Sequence, residues 1–275
     1  MQKFSFHTHT NTLGIFDGSN SAEEMIKKAE EVGYTDLGIS NHIVYHENIA
    51  PEMVTGCPMY YNDYNKIQAN MQKTIEKLRE AASKASINVY IGFEVDYFPS
   101  ASWRKSFEKL MKVLNADYYI GSTHFLKDAS EENISSFYYP KGIGPKLSKE
   151  FLDMGVNKYW DDIVSAIESG YFSFIAHPDV INLFKHFREI ECEDGKWRMI
   201  EALDKHKHAY ELNTSGWTKI GLQHPDTWII EELNKRDVPI VISDDAHHVD
   251  QIARHFEKAE DLLNSMNYKN RWSFK

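Results

Sequence analysis

Short apolar runs alternate with longer amphipathic stretches along the whole chain. Several of the runs are almost continuously apolar, which is typical of strands that are buried on both faces of a parallel sheet. Strands that alternate with helices indicate βα units. We therefore predict an α/β fold, a seven-stranded (β/α)7 TIM-like barrel that is one unit short of the eight-fold type. The predicted strands span residues 3–7, 36–40, 88–95, 118–122, 172–176, 209–212 and 238–242.

Helix signals lie between these runs. Ser21 and Glu24 form a capping-box pattern, and Gly33 is suited to end the helix that follows. Pro225 favours a first helical turn. The segments 43–61 and 126–149 are too long for simple connections, so we expect them to form a rim over the strand ends. The other predicted helices span residues 63–85, 103–114, 156–169, 196–206, 225–236 and 248–265.

Length and charge limit the class of protein. The 275 residues suit a single barrel, so we expect one domain over residues 1–275. A net charge of -10 without a basic stripe argues against nucleic-acid binding.

No apolar run is long enough to span a membrane, and no secretory signal is recognisable. Cys57 and Cys192 form no C-x-x-C pair, so a disulfide scaffold is not expected. These features predict a cytoplasmic protein that acts on small molecules.

Residue types that bind metals recur at the C-terminal ends of the predicted strands. In a parallel barrel these ends share one face, where such folds place their chemistry. His7 and His9 are two residues apart on an extended segment, so their side chains point to the same side. Asp245 and His247 repeat this spacing. The strand-end residues of this kind are His7, His9, His42, Glu94, His124, His177, Asp245 and His247.

The coincidence of these residues predicts a metal centre. A single H-x-H pattern is weak evidence, and one histidine in an apolar neighbourhood, such as His124, is more often a hydrogen-bonded core residue. Here five strand ends carry histidine and a sixth carries Glu94, whose burial would be costly without a cation or another partner. Imidazole and carboxylate ligands suit Zn, Fe or Mn, and the lack of thiolates argues against a structural cysteine-type zinc site.

The order of these motifs resembles the polymerase-and-histidinol-phosphatase (PHP) superfamily. The shared marks are an H-x-H near the N-terminus, a following histidine, a glutamate on the third strand, two further histidines and a terminal D-x-H. Within the superfamily the chain is similar to the histidinol-phosphatase family. That similarity is carried by the segments 7–10 (HTHT), 16–18 (FDG), 121–124 (GSTH) and 211–216 (ELNTSG).

The resemblance implies that the seven-stranded barrel is distorted and that two to three divalent transition metal ions, Zn, Fe or Mn, lie at the strand ends. Asp17 joins the ligands on this basis, and the D-x-H register selects Asp245 over its neighbour Asp244. The implied ligand sets are His7, His9, Glu94 and Asp245 for the first ion, Asp17, His42 and His247 for the second, and Glu94, His124 and His177 for the third, with Glu94 bridging.

The resemblance also implies an activity. The expected enzyme is a metal-dependent phosphomonoesterase of histidine biosynthesis that hydrolyses L-histidinol phosphate to L-histidinol and phosphate. Clustered divalent ions neutralise phosphate oxygens, lower the pKa of a bound water and stabilise the leaving alkoxide. We expect a metal-bound hydroxide, held through Glu94, Asp245 and His247, to attack phosphorus in line.

Several further residues are candidates for contact with the substrate. Lys185 and Arg188 follow the fifth predicted strand and could bind phosphate, although a solvated helix face explains them equally well. Asn213, at the end of the sixth strand, is also predicted to contact the substrate. Aromatic loop residues could wall an imidazole-bearing substrate, although packing is the commoner role for such residues. They are Tyr60, Tyr61, Tyr138 and Tyr139.

Three other interpretations stay open. A PHP phosphoesterase for another small phosphomonoester or for a nucleotide would use the same ligands. Amidohydrolases also begin with H-x-H in a barrel, but they usually need a lysine ligand at strand four, where this chain has His124. A metal-binding module without activity would lack some of the ligands, and none is missing from the pattern.

Overall fold

The computed structural model describes residues 1–128, 130–132, 134–137, 149–190 and 192–274. The strands are β1 (Phe4–Ser5), β2 (Asp36–Ile39), β3 (His42–Tyr45), β4 (Tyr60–Tyr61), β5 (Asn88–Asp96), β6 (Tyr118–Ser122), β7 (Phe125–Lys127), β8 (Ile134–Ser136), β9 (Tyr210–Asn213) and β10 (Ile240–Ser243). The α-helices are α1 (Ala22–Glu31), α2 (Pro51–Gly56), α3 (Tyr64–Ala82), α4 (Ala101–Leu114), α5 (Lys149–Ser169), α6 (Lys185–Arg188), α7 (Glu193–His206), α8 (Ser215–Lys219), α9 (Thr227–Lys235) and α10 (Phe256–Ser265).

The sheet is mostly parallel, as expected of an α/β fold. Its largest part has the order β1-β2-β5-β3-β4, and β6 also pairs with β5. β9 and β10 form a second parallel pair, whereas β7 and β8 form an antiparallel hairpin. The long strand β5 pairs with β2 through its first half and with β3 through its second half. In the second register Glu94 lies opposite His42, so β5 brings its glutamate to the place where β3 begins.

The fifth predicted strand, residues 172–176, forms isolated bridges rather than a regular strand. Ile175 bridges Gly121 of β6 on one side and Tyr210 of β9 on the other. Directly after this segment the backbone of His177 has a φ of 23°, which turns the chain out of the extended conformation. The segment therefore lies between two strands but ends too early to form a ladder of its own.

Strand side chains alternate between two apolar clusters, as the two-residue period of a strand requires. On β10, Ile240 and Ile242 belong to a large cluster that includes the buried faces of the helices, whereas Val241 belongs to a smaller one. The buried members of the smaller cluster are Phe6, Tyr118, Ile120, Phe174, Ala176, Ala209 and Val241. Trp272 and Phe274 pack against it, so the C-terminal segment covers this cluster.

The start of α1 agrees with its sequence signal. Ser21 Oγ accepts a hydrogen bond from Glu24 N, and the Glu24 carboxylate accepts one from Ser21 N at 2.8 Å. This confirms the predicted capping box. The helix ends at Glu31, and Gly33 follows with a φ of 81°, a left-handed conformation that favours glycine.

Two predicted helix bounds are wrong because of tertiary hydrogen bonds. α9 begins at Thr227 rather than at Pro225, since the backbone of His224 pairs with Asn213 and keeps this segment extended. The predicted helix 248–265 is divided into a 3₁₀ turn, Val249–Gln251, and α10. Between them the φ of Ala253 is 62°, which a helix does not allow.

The two predicted rim segments differ in what the structure describes. Residues 43–61 contain most of β3, the helix α2 and β4, and are therefore largely regular structure. The segment 126–149 is described only in part, and Tyr138 and Tyr139 lie outside the described residues. Among the helices in the described part of the chain, none has the length and apolar composition needed to cross a membrane.

Candidate metal centre

Glu94 lies at the centre of a cluster of histidines. Its side chain is only 1% exposed, because β5 carries it into the end of the sheet where neighbouring strands deliver imidazole rings. The distances from ring nitrogens to its carboxylate oxygens are 3.0 Å for His177 Nε2, 3.1 Å for His7 Nε2, 3.3 Å for His42 Nδ1, 3.4 Å for His9 Nε2 and 3.6 Å for His124 Nε2. The structure thus brings together residues that are distant in the sequence but were predicted to lie on one face.

A second group of ligand atoms surrounds Asp17. Its Oδ2 atom lies 3.1 Å from His247 Nε2 and 3.6 Å from His42 Nε2. His9 also belongs to this group, since one donor atom from each of the four residues lies within 4.8 Å of the others. Because the ring of His42 presents one nitrogen to Asp17 and the other to Glu94, the two groups are continuous.

Asp245 joins the cluster and Asp244 does not. Asp245 Oδ1 lies 3.3 Å from His9 Nε2 and 3.5 Å from His7 Nε2. Asp244 is buried on the other side of the backbone, where Ser5 Oγ donates to it at 2.9 Å and Tyr34 OH at 3.0 Å. The structure therefore places the aspartate that the D-x-H register selects among the histidines.

The charges in this cluster are strongly coupled. Burial favours the neutral form of Glu94, but the surrounding imidazoles outweigh it and hold the pKa of this carboxyl well below its usual range. Burial and the neighbouring His247 lower the pKa of His9 to about 3, so its ring is neutral. For His42, burial lowers the pKa, but Glu94 and Asp17 outweigh it and raise the pKa to about 10. A proton on His42 thus balances carboxylates that a bound cation could balance instead.

The residues present fit a cluster of divalent transition metal ions. Among the described residues, His9 Nε2, His42 Nδ1 and Glu94 Oε1 are buried polar atoms with no hydrogen-bond partner. Such atoms are costly unless a cation or another polar group satisfies them. The donor set consists of imidazole and carboxylate groups, which Zn, Fe and Mn accept. Overlapping groups of three or four such donors all meet in this one region.

Two buried carboxylates that support the histidines were not predicted as site residues. Asp96 accepts hydrogen bonds from the backbone N of His124 at 2.7 Å and from its ring Nδ1 at 3.1 Å. Glu211 accepts one from His7 Nδ1 at 2.7 Å. The spacing Glu94-x-Asp96 could have indicated the first of them, since residues two apart on a strand face the same side.

A cavity of about 150 Å³ lies against the cluster. Its described lining residues are Asp17, His42, Val44, Met59, Tyr60, Glu94, Asp96, His124, His177, Lys219, Asp245 and His247. Lys219, at the end of α8, is the lysine in the described lining, and its Nζ lies 3.5 Å from Asp245 Oδ2. The sequence analysis did not identify it, because only the fold shows that α8 follows β9 directly into the site.

The predicted substrate contacts lie elsewhere in the described structure. The side chain of Lys185 is 82% exposed and lies 3.7 Å from Glu189, and Arg188 is also exposed. Neither residue belongs to the described lining of the cavity. Asn213 is fully buried and donates to Glu211 Oε2 at 3.0 Å, so its contact is with the carboxylate that accepts from His7. The proposal that these three residues contact substrate stays a prediction.

Comparison with known families identifies the fold family. The model of the PHP domain matches residues 5–215, which is more than half of the chain. The chain belongs to the PHP domain family. The match confirms the resemblance that the motifs indicated. It ends before Asp245 and His247, so the last two predicted ligands of this PHP protein rest on the geometry of the cluster.

Known relatives cover nearly the whole of this PHP protein. A protein of Deinococcus radiodurans named probable histidinol-phosphatase is 25% identical over 264 residues, which is 92% of this chain and 89% of that protein. A Schizosaccharomyces pombe protein of the same name is 23% identical and covers 94% of this chain and 85% of its own. The crystal structure of histidinol phosphate phosphatase from Lactococcus lactis has a similar fold, with a TM-score of 0.66 at 14% identity, covering 100% of this chain and 97% of that one. That protein was crystallised with Zn, L-histidinol and phosphate.

Proposed function

We propose that this PHP protein is a metal-dependent phosphomonoesterase that hydrolyses L-histidinol phosphate to L-histidinol and phosphate. The observation that carries the proposal is the buried carboxylate of Glu94 among five imidazole rings at the wall of a cavity. The names of the two relatives, and the L-histidinol and phosphate bound by the Lactococcus lactis protein, support the choice of substrate.

The proposed ligands of two to three ions are those that the motifs implied. They are His7, His9, Asp17, His42, Glu94, His124, His177, Asp245 and His247. Divalent ions bound there would supply Lewis-acid activation of water and would neutralise the phosphate and the leaving oxygen. The buried carboxylates of Glu94 and Asp245 hold the negative charge that such cations need, and the neutral ring of His9 offers a lone pair.

Lys219 is the proposed phosphate contact among the described residues. Its side chain is 40% exposed and lines the cavity beside Asp245, so its ammonium group can reach an anion that enters there. A charge-assisted hydrogen bond from an ammonium to a phosphate oxygen is stronger than a neutral one. Val44, Met59 and Tyr60 also line the cavity, and they offer a surface for the imidazole ring of the substrate.

The seven-stranded barrel and the single domain over residues 1–275 are part of the same proposal. Isolated parallel bridges connect Thr8 with Ala246, Gly121 with Ile175, and Ile175 with Tyr210. The first links the ends of β1 and β10, and the other two link β6 to β9 through residues 172–176. Together with the ladders β1-β2-β5-β6 and β9-β10, these bridges support a closed ring of seven extended segments.

The experiment that tests the substrate is a comparison of phosphate release from a panel of phosphomonoesters. Histidinol phosphate carries an ammonium and an imidazole, which suit an acidic protein better than a dianionic sugar phosphate does. We expect kcat/KM for histidinol phosphate to be at least about tenfold higher than for simple sugar phosphates, which corresponds to roughly 1.4 kcal/mol. Equal rates across the panel, or a preference for a nucleotide, would assign the protein to another PHP phosphoesterase activity.

A further inference from the structure

Glu211 contacts two histidines of the cluster without facing the cavity. It lies on β9 and is fully buried. Its Oε1 atom accepts a hydrogen bond from His7 Nδ1 at 2.7 Å. Its Oε2 atom accepts two more, from the backbone N of His177 at 2.8 Å and from Asn213 Nδ2 at 3.0 Å. One carboxylate therefore joins the end of β1 to the segment that follows residues 172–176.

The contact with His7 determines which ring nitrogen faces the centre. A carboxylate can only accept, so His7 Nδ1 must carry the proton and donate. In a neutral imidazole the lone pair is then on Nε2, which lies 3.1 Å from Glu94 Oε2 and 3.5 Å from Asp245 Oδ1. A histidine binds a metal through such a lone pair, and its other nitrogen commonly donates to a carboxylate or carbonyl.

The contact with His177 holds a strained part of the backbone. The φ of His177 is 23°, in a region that residues with side chains rarely adopt. Its N–H points at Glu211 Oε2, while its ring Nε2 lies 3.0 Å from Glu94 Oε1. The hydrogen bond fixes the turn that brings this ring to the centre.

From this geometry we infer that Glu211 is a positioning residue for the metal centre. It selects the tautomer of His7 and anchors the backbone of His177, so that the Nε2 atoms of both rings face the same cations. The inference rests on the proposed metal binding. The carboxylate of Glu211 lies behind the proposed ligands His7 and His177. Its removal should weaken metal affinity, although this carboxylate contacts neither metal nor substrate.

Glutamine cannot take over this role. Three N–H groups point at the two oxygens of Glu211, from His7, His177 and Asn213. In Glu211→Gln one of the two oxygens is replaced by an NH2 group, which can only donate, and this NH2 group must face at least one of these donors. If it faces His7, it favours the tautomer with the proton on Nε2, which removes the lone pair from the centre. If it faces the other two, both lose their acceptor.

The chain offers a matched control in Glu131. This carboxylate is also buried, accepts from His46 Nε2 at 2.8 Å and accepts from a backbone N–H, that of Ser100. Neither His46 nor Glu131 belongs to the groups of metal-type donors or to the described lining of the cavity. Glu131→Gln therefore removes a similar hydrogen-bonded carboxylate that lies outside the groups of metal-type donors.

The test measures Zn²⁺ affinity by competition with a chelator in the parent protein and both variants. We expect Glu211→Gln to bind Zn²⁺ about ten- to a hundredfold more weakly, as is typical when a hydrogen-bond partner of a ligand is lost, and Glu131→Gln to match the parent. Equal affinity of parent and Glu211→Gln, or an equal loss in both variants, would overturn the inference.

A second measurement needs no variant of Glu211. In the Zn²⁺-loaded parent labelled with ¹⁵N-histidine, the ring signals of His7, assigned by their loss in His7→Asn, should show a protonated Nδ1 and a metal-bound Nε2. Zinc on Nδ1, or a proton on Nε2, would overturn the inference. If the predicted affinities and ring signals are found but histidinol phosphate is not hydrolysed, the proposed substrate is wrong and the role of Glu211 stands.

Discussion

Asp244 and Asp245 are adjacent in the chain but lie in opposite surroundings. Asp245 Oδ1 faces His7 and His9, and its other oxygen accepts from Ser215 Oγ at 3.2 Å. Asp244 accepts from Ser5 and Tyr34, and burial raises the pKa of this carboxyl. In this neighbouring pair, Asp245 is a proposed metal ligand and Asp244 is a buried residue that accepts hydrogen bonds from Ser5 and Tyr34.

Substitution of each aspartate by asparagine separates these roles. Asp245→Asn should weaken Zn²⁺ binding by at least about a hundredfold, more than the loss of an indirect partner costs, because it removes a charge that faces the cations. Asp244→Asn should retain metal and lose no more than about 1.5 kcal/mol of stability, since the Ser5 hydroxyl can accept from the new amide. Chelator competition and urea unfolding measure the two effects. Loss of metal in Asp244→Asn alone would show that the assignment is reversed.

Lys219 and Lys185 provide a second comparison of this kind. Lys219→Met should lower kcat/KM by about ten- to a hundredfold, because a hydrogen bond to a charged group contributes about 1.5–3 kcal/mol. Metal content should not fall, since the change removes a positive charge beside Asp245. Lys185→Met should leave kcat/KM unchanged, as its side chain is exposed beside Glu189. A loss in Lys185→Met alone would instead support the contact that the sequence suggested.

The residues that bear the site differ in how far the sequence reveals them. His7, His9, Glu94 and Asp245 could be found because their spacing and their position at strand ends are local features. Glu211 could not, since its role depends on a hydrogen bond from His7, which is more than 200 residues away in the sequence. A pattern read along one strand shows which side a residue faces, but not which partner it meets there.

At the scale of elements, β5 positions the centre because it pairs with neighbours along its whole length. It meets β2 and then β3 on one side and β6 on the other, which delivers Glu94 between His42 and the segment before His124. The parallel α/β arrangement and the start of α1 followed from periodicity and capping. The irregular segment 172–176 and the division of the last helix did not, because tertiary contacts with distant residues override the local preference there.

The C-terminal segment contributes to stability through aromatic packing. The ring of Trp272 lies 5.4 Å from that of Phe6 and 5.2 Å from that of Phe174, in edge-to-face arrangements. Two such pairs contribute roughly 1–3 kcal/mol beyond the burial of the ring, so Trp272→Ala should lower the free energy of unfolding by at least that amount. The exposed neighbour Ser273 is the control, and Ser273→Ala should change it by less than about 0.5 kcal/mol in the same urea titration. Equal effects of the two changes would show that the segment does not stabilise this cluster.

At the scale of the whole molecule, the proposed ligands come from both ends of the chain and from most of the strands between them. His7 and His247 meet in one cluster through His9, whose ring stacks on that of His247 at 4.1 Å between centroids. Bound cations would therefore connect elements that are far apart in sequence. Metal ions that bind only the folded state also raise the free energy of unfolding, so we expect metal binding to stabilise the fold.

Metal titration of the chelated protein tests the central claim most directly. Phosphate release from histidinol phosphate should be at background level without metal and should rise with added Zn²⁺, Mn²⁺ or Fe²⁺, with saturation at about two to three equivalents per chain. In Glu94→Gln, which keeps the shape of the residue but removes its charge, the same titration should restore little activity. Full activity in the chelated parent, or saturation below about half an equivalent of bound metal, would contradict a multi-metal phosphatase centre.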